Sequence, residues 1–422
     1  MKKLLTLVLA LALALSLAAA ASAEPVTITA WVSDGAESVV YGQMFDDFNA
    51  KHEGEIVVDD QYFAQDELLN KLQTAPIVGD APEIIIIDGL QIPYFQDLDM
   101  IACLDEYITD EMKADVLPSI WAENTYDGSI YGVAQFDSGM GLWTRKSILE
   151  KIGARIPTSY QDAWTVAEFE DILAKCKEIG YEYPLYIRQN KTNSIYFNWM
   201  AVIASFGGDY LNRDTMTATG TLDGEATIAA YDWMKKMIDE GYINAACDYE
   251  DAFYGRDEAA FSMLGHWKYS DHVGAFGDDA IIVPLPDFGG GVYTCSGSTV
   301  DVMTTAAVER GKAEEAWTVL EAIMSPEYIR MVCEVNGGVP SRSSVMDDME
   351  QWQKGGRLYL YREQLEGGIS YLRPITPAHS TVYNACSNVC KNILAGGDPA
   401  EELHAAAEYV DEIIYENGWN IE

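Results

Sequence analysis

Two aspartates follow predicted strands near the start of the chain and could bind a polar ligand. Asp34 follows the β-branched stretch 26–32, and Asp88 follows the continuous apolar run 83–87. Helical patterns separate these strands, which predicts a doubly wound α/β unit whose ligands bind beyond the carboxyl ends of the strands. Carboxylates at that rim would accept hydrogen bonds from a ligand, and a simple turn role is the alternative for each aspartate.

The order of predicted elements indicates how such residues are positioned. The chain has 422 residues, which is too long for one core and predicts two lobes. Stretch 251–264 is predicted as a helix or a turn. The other predicted elements are strands 26–32, 55–58, 83–87, 280–284 and 299–304, and helices 37–51, 65–75, 147–152, 165–179, 194–205, 226–240, 380–394 and 399–415.

The first 23 residues are typical of an export signal. A lysine pair precedes an apolar run over 4–17, and the small-residue site Ala21-Ser22-Ala23 stands before Glu24. A membrane anchor is the alternative, because the apolar run approaches the length of a span. The first cysteine is Cys103, so a lipidated N-terminus is not supported. We expect a periplasmic or extracellular mature protein.

The chain is strongly acidic, with 67 Asp and Glu against 27 Lys and Arg and a formal charge of −40. Removal of Lys2 and Lys3 with the signal would bring the charge to −42 (−40 less two positive charges). This balance excludes nucleic acid as a partner, because nucleic-acid binding needs a basic surface. It also disfavours an anionic ligand, unless local basic groups override the overall field.

Cysteine usage and motifs indicate no enzyme, metal or cofactor. The seven cysteines leave at least one unpaired in a monomer. Cys386 and Cys390 share one face of a predicted helix, where buried thiols are favoured over a metal pair. The sequence contains no G-x-x-x-x-G-K-[ST], G-x-S-x-G or H-E-x-x-H motif, so nucleotide, serine and zinc-protease chemistry have no support.

The most specific segment is 307–342. It contains an amphipathic helical pattern, a break at Ser325-Pro326, a second helical pattern, Gly337-Gly338 and the extended Val339-Pro340-Ser341. This order resembles a signature of extracellular solute-binding proteins of ATP-driven importers, and in particular the carbohydrate-binding, maltose-binding-protein-like group. Further stretches in matching order are Tyr131-Gly132-Val133, 141–146, Phe206-Gly207-Gly208, 237–243, Ala259-Ala260-Phe261, Gly265-His266-Trp267 and Arg373-Pro374.

The resemblance covers nearly all of the mature chain and implies a fold. That fold is the type II, two-lobed periplasmic-binding-protein-like α/β architecture, in which each lobe has a mixed, mostly parallel sheet flanked by helices. The first lobe would comprise 24–136 and 297–346, and the second 137–296 and 347–422, with a hinge between them. Ala134 stands where the family frequently has Pro, and Thr144-Arg145 replaces a common Tyr-Asn.

The resemblance also implies a site. Sugars need aromatic rings for their apolar faces and carboxylates or amides for their hydroxyls. Arg342 and Arg373 could clamp an anion, although a structural role is favoured for both. Asp137, with Phe136, would face the cleft from a lobe crossing, and an exposed loop position is the alternative for Asp137. Asp34 and Asp88 would contribute from the rim of the first lobe, and the stacking positions would be Trp267, Tyr196 and Tyr383.

The function that the resemblance implies is binding, not catalysis. A sugar or oligosaccharide would bind between the lobes and shift them toward a closed state that the permease subunits of an ABC transporter recognise. We expect a monomer without cofactor or metal. The alternatives are a binding protein for another solute (peptide, polyamine or metal chelate) and, less favoured, a secreted glycoside hydrolase.

Overall fold

β-branched and apolar runs form the strands of two larger sheets, of five and four strands, and three two-stranded pairs complete the strands of the described residues. The computed structural model describes residues 24–35 and 37–421, and the predicted export signal over 1–23 lies outside them. The strands are β1 Val26–Ser33, β2 Ile56–Phe63, β3 Ile84–Asp88, β4 Thr125–Tyr126, β5 Ser129–Ile130, β6 Gly132–Val133, β7 Phe136–Asp137, β8 Met140–Arg145, β9 Leu185–Tyr186, β10 Phe261–Gly265, β11 Ala280–Val283, β12 Thr294–Ser296, β13 Thr299–Met303, β14 Val339–Pro340 and β15 Ser370–Leu372.

Helices cover these sheets and connect the strands. They are α1 Ser38–Lys51, α2 Gln65–Val78, α3 Ile92–Asp97, α4 Asp110–Asp115, α5 Pro118–Asn124, α6 Lys146–Ile152, α7 Val166–Glu178, α8 Thr192–Phe206, α9 Glu225–Asp239, α10 Tyr269–Phe276, α11 Thr305–Glu309, α12 Ala313–Ile323, α13 Pro326–Asn336, α14 Ser343–Asp348, α15 Tyr359–Glu366, α16 His379–Leu394 and α17 Pro399–Asn417. Short 3-10 turns include Gly89–Gln91 and His266–Lys268.

The first sheet has the strand order β2-β1-β3-β13-β6. β1 pairs in parallel with β2 and β3, while β13 runs antiparallel between β3 and β6. The isoleucines of β3 are fully buried because helices cover both faces of the sheet. β13 therefore closes a sheet whose other strands all come from the first third of the chain.

The second sheet has the order β11-β8-β10-β9, and it corrects two expectations. Only β9 and β10 pair in parallel, whereas β8 runs antiparallel to β10 and β11, so this sheet is mixed but not mostly parallel. The predicted helix or turn over 251–264 ends instead in strand β10. A buried strand of five residues carries no alternation, so its pattern cannot be distinguished from that of a short buried helix.

The buried apolar residues form two cores, of which the first surrounds the first sheet and also covers one face of the second sheet through Trp143 and Leu264, while the second core lies on the opposite face of the second sheet. Ile86 and Val302 are buried in the first core, and Leu142 and Phe261 in the second. Trp267 is half-buried and packs against both cores, and its neighbour His266 places Nδ1 3.1 Å from the carbonyl of Asn336 at the end of α13.

Local signals that the sequence carries are realised in the helices. Thr165 accepts from the backbone N–H of Glu168 while the Glu168 carboxylate accepts from the N–H of Thr165, which forms a capping box at the start of α7. Ser325 caps α13, with Pro326 in its first turn, and Gly337 ends this helix at φ 73°. The two-helix interpretation of 307–342 is confirmed.

The chain crosses between the two lobes several times, and the crossing segments bond to one another. β7 pairs with β14, and β12 pairs with β15. The Ser138 N–H donates to the Gly297 carbonyl at 3.1 Å, which links a segment that leaves the first lobe to one that returns to it. These paired segments form the hinge region.

Two surveys of the described part of the chain bear on membrane and metal binding. Within 24–35 and 37–421, no helix combines the length and apolar character needed to cross a bilayer. The same residues contain no group of three or more His, Cys, Asp or Glu arranged to hold a metal ion. All seven cysteines are free thiols, and Cys386 and Cys390 are buried as expected.

Candidate functional site

The two predicted rim aspartates lie at the same edge of the first sheet. Val32 of β1 is opposite Ile86 of β3, and Asp34 and Asp88 each follow two residues later. Asp34 is exposed, and its Oδ1 accepts from Ser38 Oγ at 2.8 Å at the start of α1. Asp88 faces the other lobe instead. The rim prediction is therefore confirmed in position, but the two carboxylates have different environments.

Asp88 forms an ion pair across the cleft. Nη2 of Arg373 donates to both of its carboxylate oxygens, at 3.1 and 3.2 Å, and the Leu90 N–H donates to Oδ1 at 3.1 Å. The Arg373 side chain is only 3% exposed. Burial raises the pKa of Asp88, but the Arg373 charge and nearby donors outweigh burial and hold the pKa below its ordinary value. Asp88 is therefore an anion at neutral pH.

Glu123, at the end of α5, is a second carboxyl group in this cluster, and no sequence pattern indicated it. Ser298 donates to it from its N–H at 3.1 Å and from Oγ at 2.6 Å. Burial, followed by the negative charge of Asp88, raises the pKa of Glu123 to about 8. Its carboxyl packs against Gly89, where a Cβ would lie 2.6 Å from Glu123 Cδ. Glu123 thus fills the space beneath Asp88 as a largely protonated group.

Asp137 lies at the lobe crossing, as predicted, but it is 1% exposed and bonded to another crossing segment. Its carboxylate accepts from the N–H of Ser138 at 2.7 Å, the N–H of Gly297 at 3.1 Å and the hydroxyl of Ser296 at 3.2 Å. Burial raises its pKa despite these donors. The contacts give Asp137 a positioning role in the hinge.

Phe136 also belongs to the hinge. It is buried, and its ring meets the His266 ring edge-on with centroids 5.1 Å apart. A Cβ at Gly338 would lie 2.8 Å from Phe136 Cδ2, so the Gly337-Gly338 pair allows β14 to pass directly over this ring. The absence of a side chain at position 338 is therefore a packing requirement of the crossing.

Aromatic residues of α8 and α16 line the second-lobe side of the cluster. Tyr196 is buried, with the Tyr383 ring edge-on at 5.5 Å and the Arg373 guanidinium 5.4 Å from its centroid. Tyr383 is half-buried, so its ring retains a surface that a ligand could contact. The His379 ring lies 5.8 Å from the Tyr196 ring, measured between centroids. Burial lowers the pKa of His379 to about 4, so this histidine is neutral at pH 7. The buried Tyr196 therefore packs against both Tyr383 and Arg373 and holds them in place.

Trp267 provides the ring that is best placed between the lobes. It follows strand β10 and precedes α10, so it lies in the turn that leads from strand to helix. Its ring meets the Phe197 ring of α8 edge-on, with centroids 5.5 Å apart. The guanidinium of Arg373 lies 4.8 Å from the centroid of the same Phe197 ring. Trp267, Phe197 and Arg373 therefore form one continuous surface.

Three buried polar atoms of this surface have no hydrogen-bond partner among the described residues. They are Nε1 of Trp267, Nε of Arg373 and Nδ1 of His379. A polar ligand that reached these nitrogens could form hydrogen bonds with them. Arg342, the other arginine considered from sequence, instead binds Asp115 at 2.6 Å within the first lobe.

The cluster can bind a polar ligand that has apolar faces. Asp88 accepts hydrogen bonds, Arg373, His379 and Trp267 can provide them, and half-buried rings offer flat surfaces. Phe136 and Asp137 position the hinge behind it, while Asp34 lies farther out on the rim.

The sequence of this chain matches a family of known proteins. Residues 43–358 match the family described as bacterial extracellular solute-binding protein. A probable sugar-binding periplasmic protein of Rhizobium meliloti (strain 1021) is 24% identical over 356 residues, which cover 82% of this chain and 83% of the relative.

Solved structures show the same fold. A solute-binding protein of an ABC transporter from Thermotoga lettingae TMO, bound with α-D-tagatose, superposes with a TM-score of 0.79 at 21% identity, covering 92% of this chain and 100% of that one. The GacH receptor of Streptomyces glaucescens GLA.O, solved without ligand and with acarbose, gives a TM-score of 0.77 at 21% identity over 94% of this chain and 99% of the receptor. Together with the family match over most of its length, the two-lobed architecture identifies this chain as a member of the bacterial extracellular solute-binding proteins.

Proposed function

We propose that the protein binds a sugar or oligosaccharide between its two lobes and delivers it to the permease subunits of an ABC transporter. The observation that carries this proposal is the cluster of Asp88, Arg373, Tyr383 and Trp267 between the lobes, which combines hydrogen-bonding groups with aromatic surfaces. Relatives with the same fold bind acarbose or tagatose, and both ligands present the same combination of hydroxyls and apolar faces.

The lobes that enclose this ligand are proposed as 24–136 with 297–346, and 137–296 with 347–422. The distribution of strands supports this division, because β1–β3, β6 and β13 build the first sheet and β8–β11 the second. A ligand that contacts both lobes stabilises the closed arrangement by its differential affinity for that state. The protein acts as a monomer in the periplasm or outside the cell, after cleavage following Ala23.

Within the site, we assign direct ligand contact to Asp88, Trp267 and Tyr383. Tyr196 supports the Tyr383 ring, Phe136 and Asp137 position the hinge, and Asp34 contributes from the rim. This assignment follows exposure and contacts, because Tyr196, Phe136 and Asp137 are each at most 2% exposed.

Calorimetric titration of the mature protein against a saccharide panel tests the proposal. We expect saturable one-to-one binding of at least one saccharide and no release of the aglycone from aryl-glycosides. Turnover of an aryl-glycoside without saturable binding would favour a hydrolase. Binding of a peptide, polyamine or metal chelate in place of every saccharide would assign the cleft to another solute.

A further inference from the structure

A group of cations surrounds one carboxylate beside the proposed sugar site. Glu250 lies 3.2 Å from Nη2 of Arg188, 2.5 Å from Nζ of Lys191 and 3.3 Å from Nζ of Lys268. The Lys268 side chain is 10% exposed and Lys191 is 50% exposed, so the group opens to solvent at Lys191. We call Arg188, Lys191 and Lys268 the basic cluster.

The basic cluster lies at the cleft edge of the second sheet. β9 and β10 run parallel, so their carboxyl ends meet at one edge, where Arg188 follows β9 and Lys268 directly follows Trp267. The first lobe contacts this same edge, because His266 Nδ1 lies 3.1 Å from the Asn336 carbonyl. The cluster therefore borders the surface formed by Trp267.

The acidic partners do not neutralise the basic cluster. Glu250 and Asp271, which lies 2.8 Å from Lys268, supply two negative charges against three positive ones, leaving a surplus of one. Helix α8 begins at this point without a side-chain cap and without an acidic residue in its first turn. Its partial positive end adds to the surplus. In a chain with a net charge of −40, this is a local reversal of sign.

A second observation on the same helix also points to an anionic group. Arg373 contacts Phe197 in the second turn of α8, its side chain is 3% exposed, and its Nε has no partner among the described residues. Phe197 in turn contacts Trp267. Cationic groups thus lie at both ends of the surface formed by Phe197 and Trp267, and the buried one, Arg373, retains a donor without a partner among the described residues.

We propose that the saccharide recognised by this protein carries an acidic group, a carboxylate or a sulfate ester, which binds at Arg188, Lys191 and Lys268 while a sugar ring packs on Trp267. This inference rests on the proposed sugar-binding function. Anionic oxygens accept charge-assisted hydrogen bonds from arginine and lysine, which are about twice as strong as neutral ones. The basic cluster would thereby select acidic saccharides from the neutral saccharides that the aromatic surface alone accepts.

Matched saccharides test the inference by calorimetric titration of the mature protein. For each of maltose, cellobiose and lactose, the neutral disaccharide is compared with its uronic-acid form and with its sulfate ester. We expect one charged form to bind at least about tenfold more tightly than its neutral parent, with an affinity that falls as salt rises. The two charged forms distinguish a carboxylate from a sulfate.

The variant Lys191→Met removes one exposed cation of the basic cluster. We expect it to weaken binding of the charged form about tenfold and to leave binding of the neutral parent unchanged. Lys191→Arg should restore the preference, and Lys175→Met on α7 is the matched control, since Lys175 pairs only with Asp171 on its own helix. If every neutral parent binds as tightly as its charged forms, or more tightly, this inference is overturned and the proposed function still stands. The absence of binding to any saccharide overturns both.

Discussion

Arg373 and Asp88 form an ion pair in which Nη2 lies 3.1 and 3.2 Å from the two carboxylate oxygens, with the arginine buried and the carboxylate partly exposed. Asp88 is the last residue of β3 in the first sheet, whereas Arg373 follows β15 and contacts Tyr196 and Phe197, which pack in or against the second core. The pair therefore links the relative position of the lobes to the charge state of the candidate site.

Removal of the anion from this pair should destabilise the protein. Asp88→Asn leaves the Arg373 guanidinium buried without a counter-charge, which we expect to cost about 3 kcal/mol in the free energy of unfolding. Urea denaturation measures this loss. In a double-mutant cycle with Arg373→Met, the double variant should lose less than the sum of the single variants, and strict additivity would show that the two charges do not interact.

Loss of the aromatic surface should weaken saccharide binding more than it affects stability. Trp267→Ala and Tyr383→Ala remove half-buried rings from the cleft, and we expect each to raise Kd by roughly 30-fold, since aromatic anchors contribute about 2 kcal/mol or more. Tyr409→Ala is the control, because Tyr409 lies on α17 and is 51% exposed. An unchanged Kd for both cleft variants would show that the ligand binds elsewhere on the protein.

Asp301 should make the stability of the first lobe depend on pH. It lies in β13, is fully buried and accepts from the Tyr41 hydroxyl at 3.0 Å. Burial raises the pKa of Asp301 from 3.8 to about 8. The folded state therefore binds more protons than the unfolded state between these values, so stability falls as pH rises through this window.

The variant Asp301→Asn tests this dependence because it keeps an acceptor for Tyr41 but cannot ionise. We expect the urea midpoint of the variant to fall less than that of the wild type between pH 5 and pH 8. Other titrating groups are the same in both proteins and cancel in the comparison. Parallel pH profiles would mean that Asp301 ionises normally.

The capping box of α7 should contribute to stability independently of the site. Thr165→Ala removes the hydroxyl that accepts from the Glu168 N–H, and we expect a loss of about 1 kcal/mol in the free energy of unfolding. Thr318→Ala within α12 is the control, because its hydroxyl donates only to the Glu314 carbonyl of the same helix. A loss no larger than that of the control would indicate that tertiary packing, and not the capping box, stabilises the start of α7.

Sequence patterns predicted the features that depend on neighbouring residues. The break at Ser325-Pro326 and the common rim of Asp34 and Asp88 each follow from patterns within one or two elements, and the structure confirms them. Strand β10 was missed because its five buried residues show no alternation.

Features that depend on distant segments could not be predicted in this way. Glu123 looks like an ordinary polar residue near the end of a short helix, and only the return of the chain at Ser298 buries it and raises its pKa. The same applies to Asp137, whose carboxylate is bound by Gly297, 160 residues away. Proximity of this kind is set by the crossings and leaves no local trace.

The position of β13 has a consequence for biosynthesis. It lies between β3 and β6 in the first sheet, although about 165 residues of the chain separate it from β6 (Val133 to Thr299). A nascent chain that ends before this strand exposes the hydrogen-bonding edge of β3, whose isoleucines favour pairing with other chains. Fragments that stop short of Met303 should therefore aggregate, while the completed chain folds, so the first lobe cannot be produced by simple truncation.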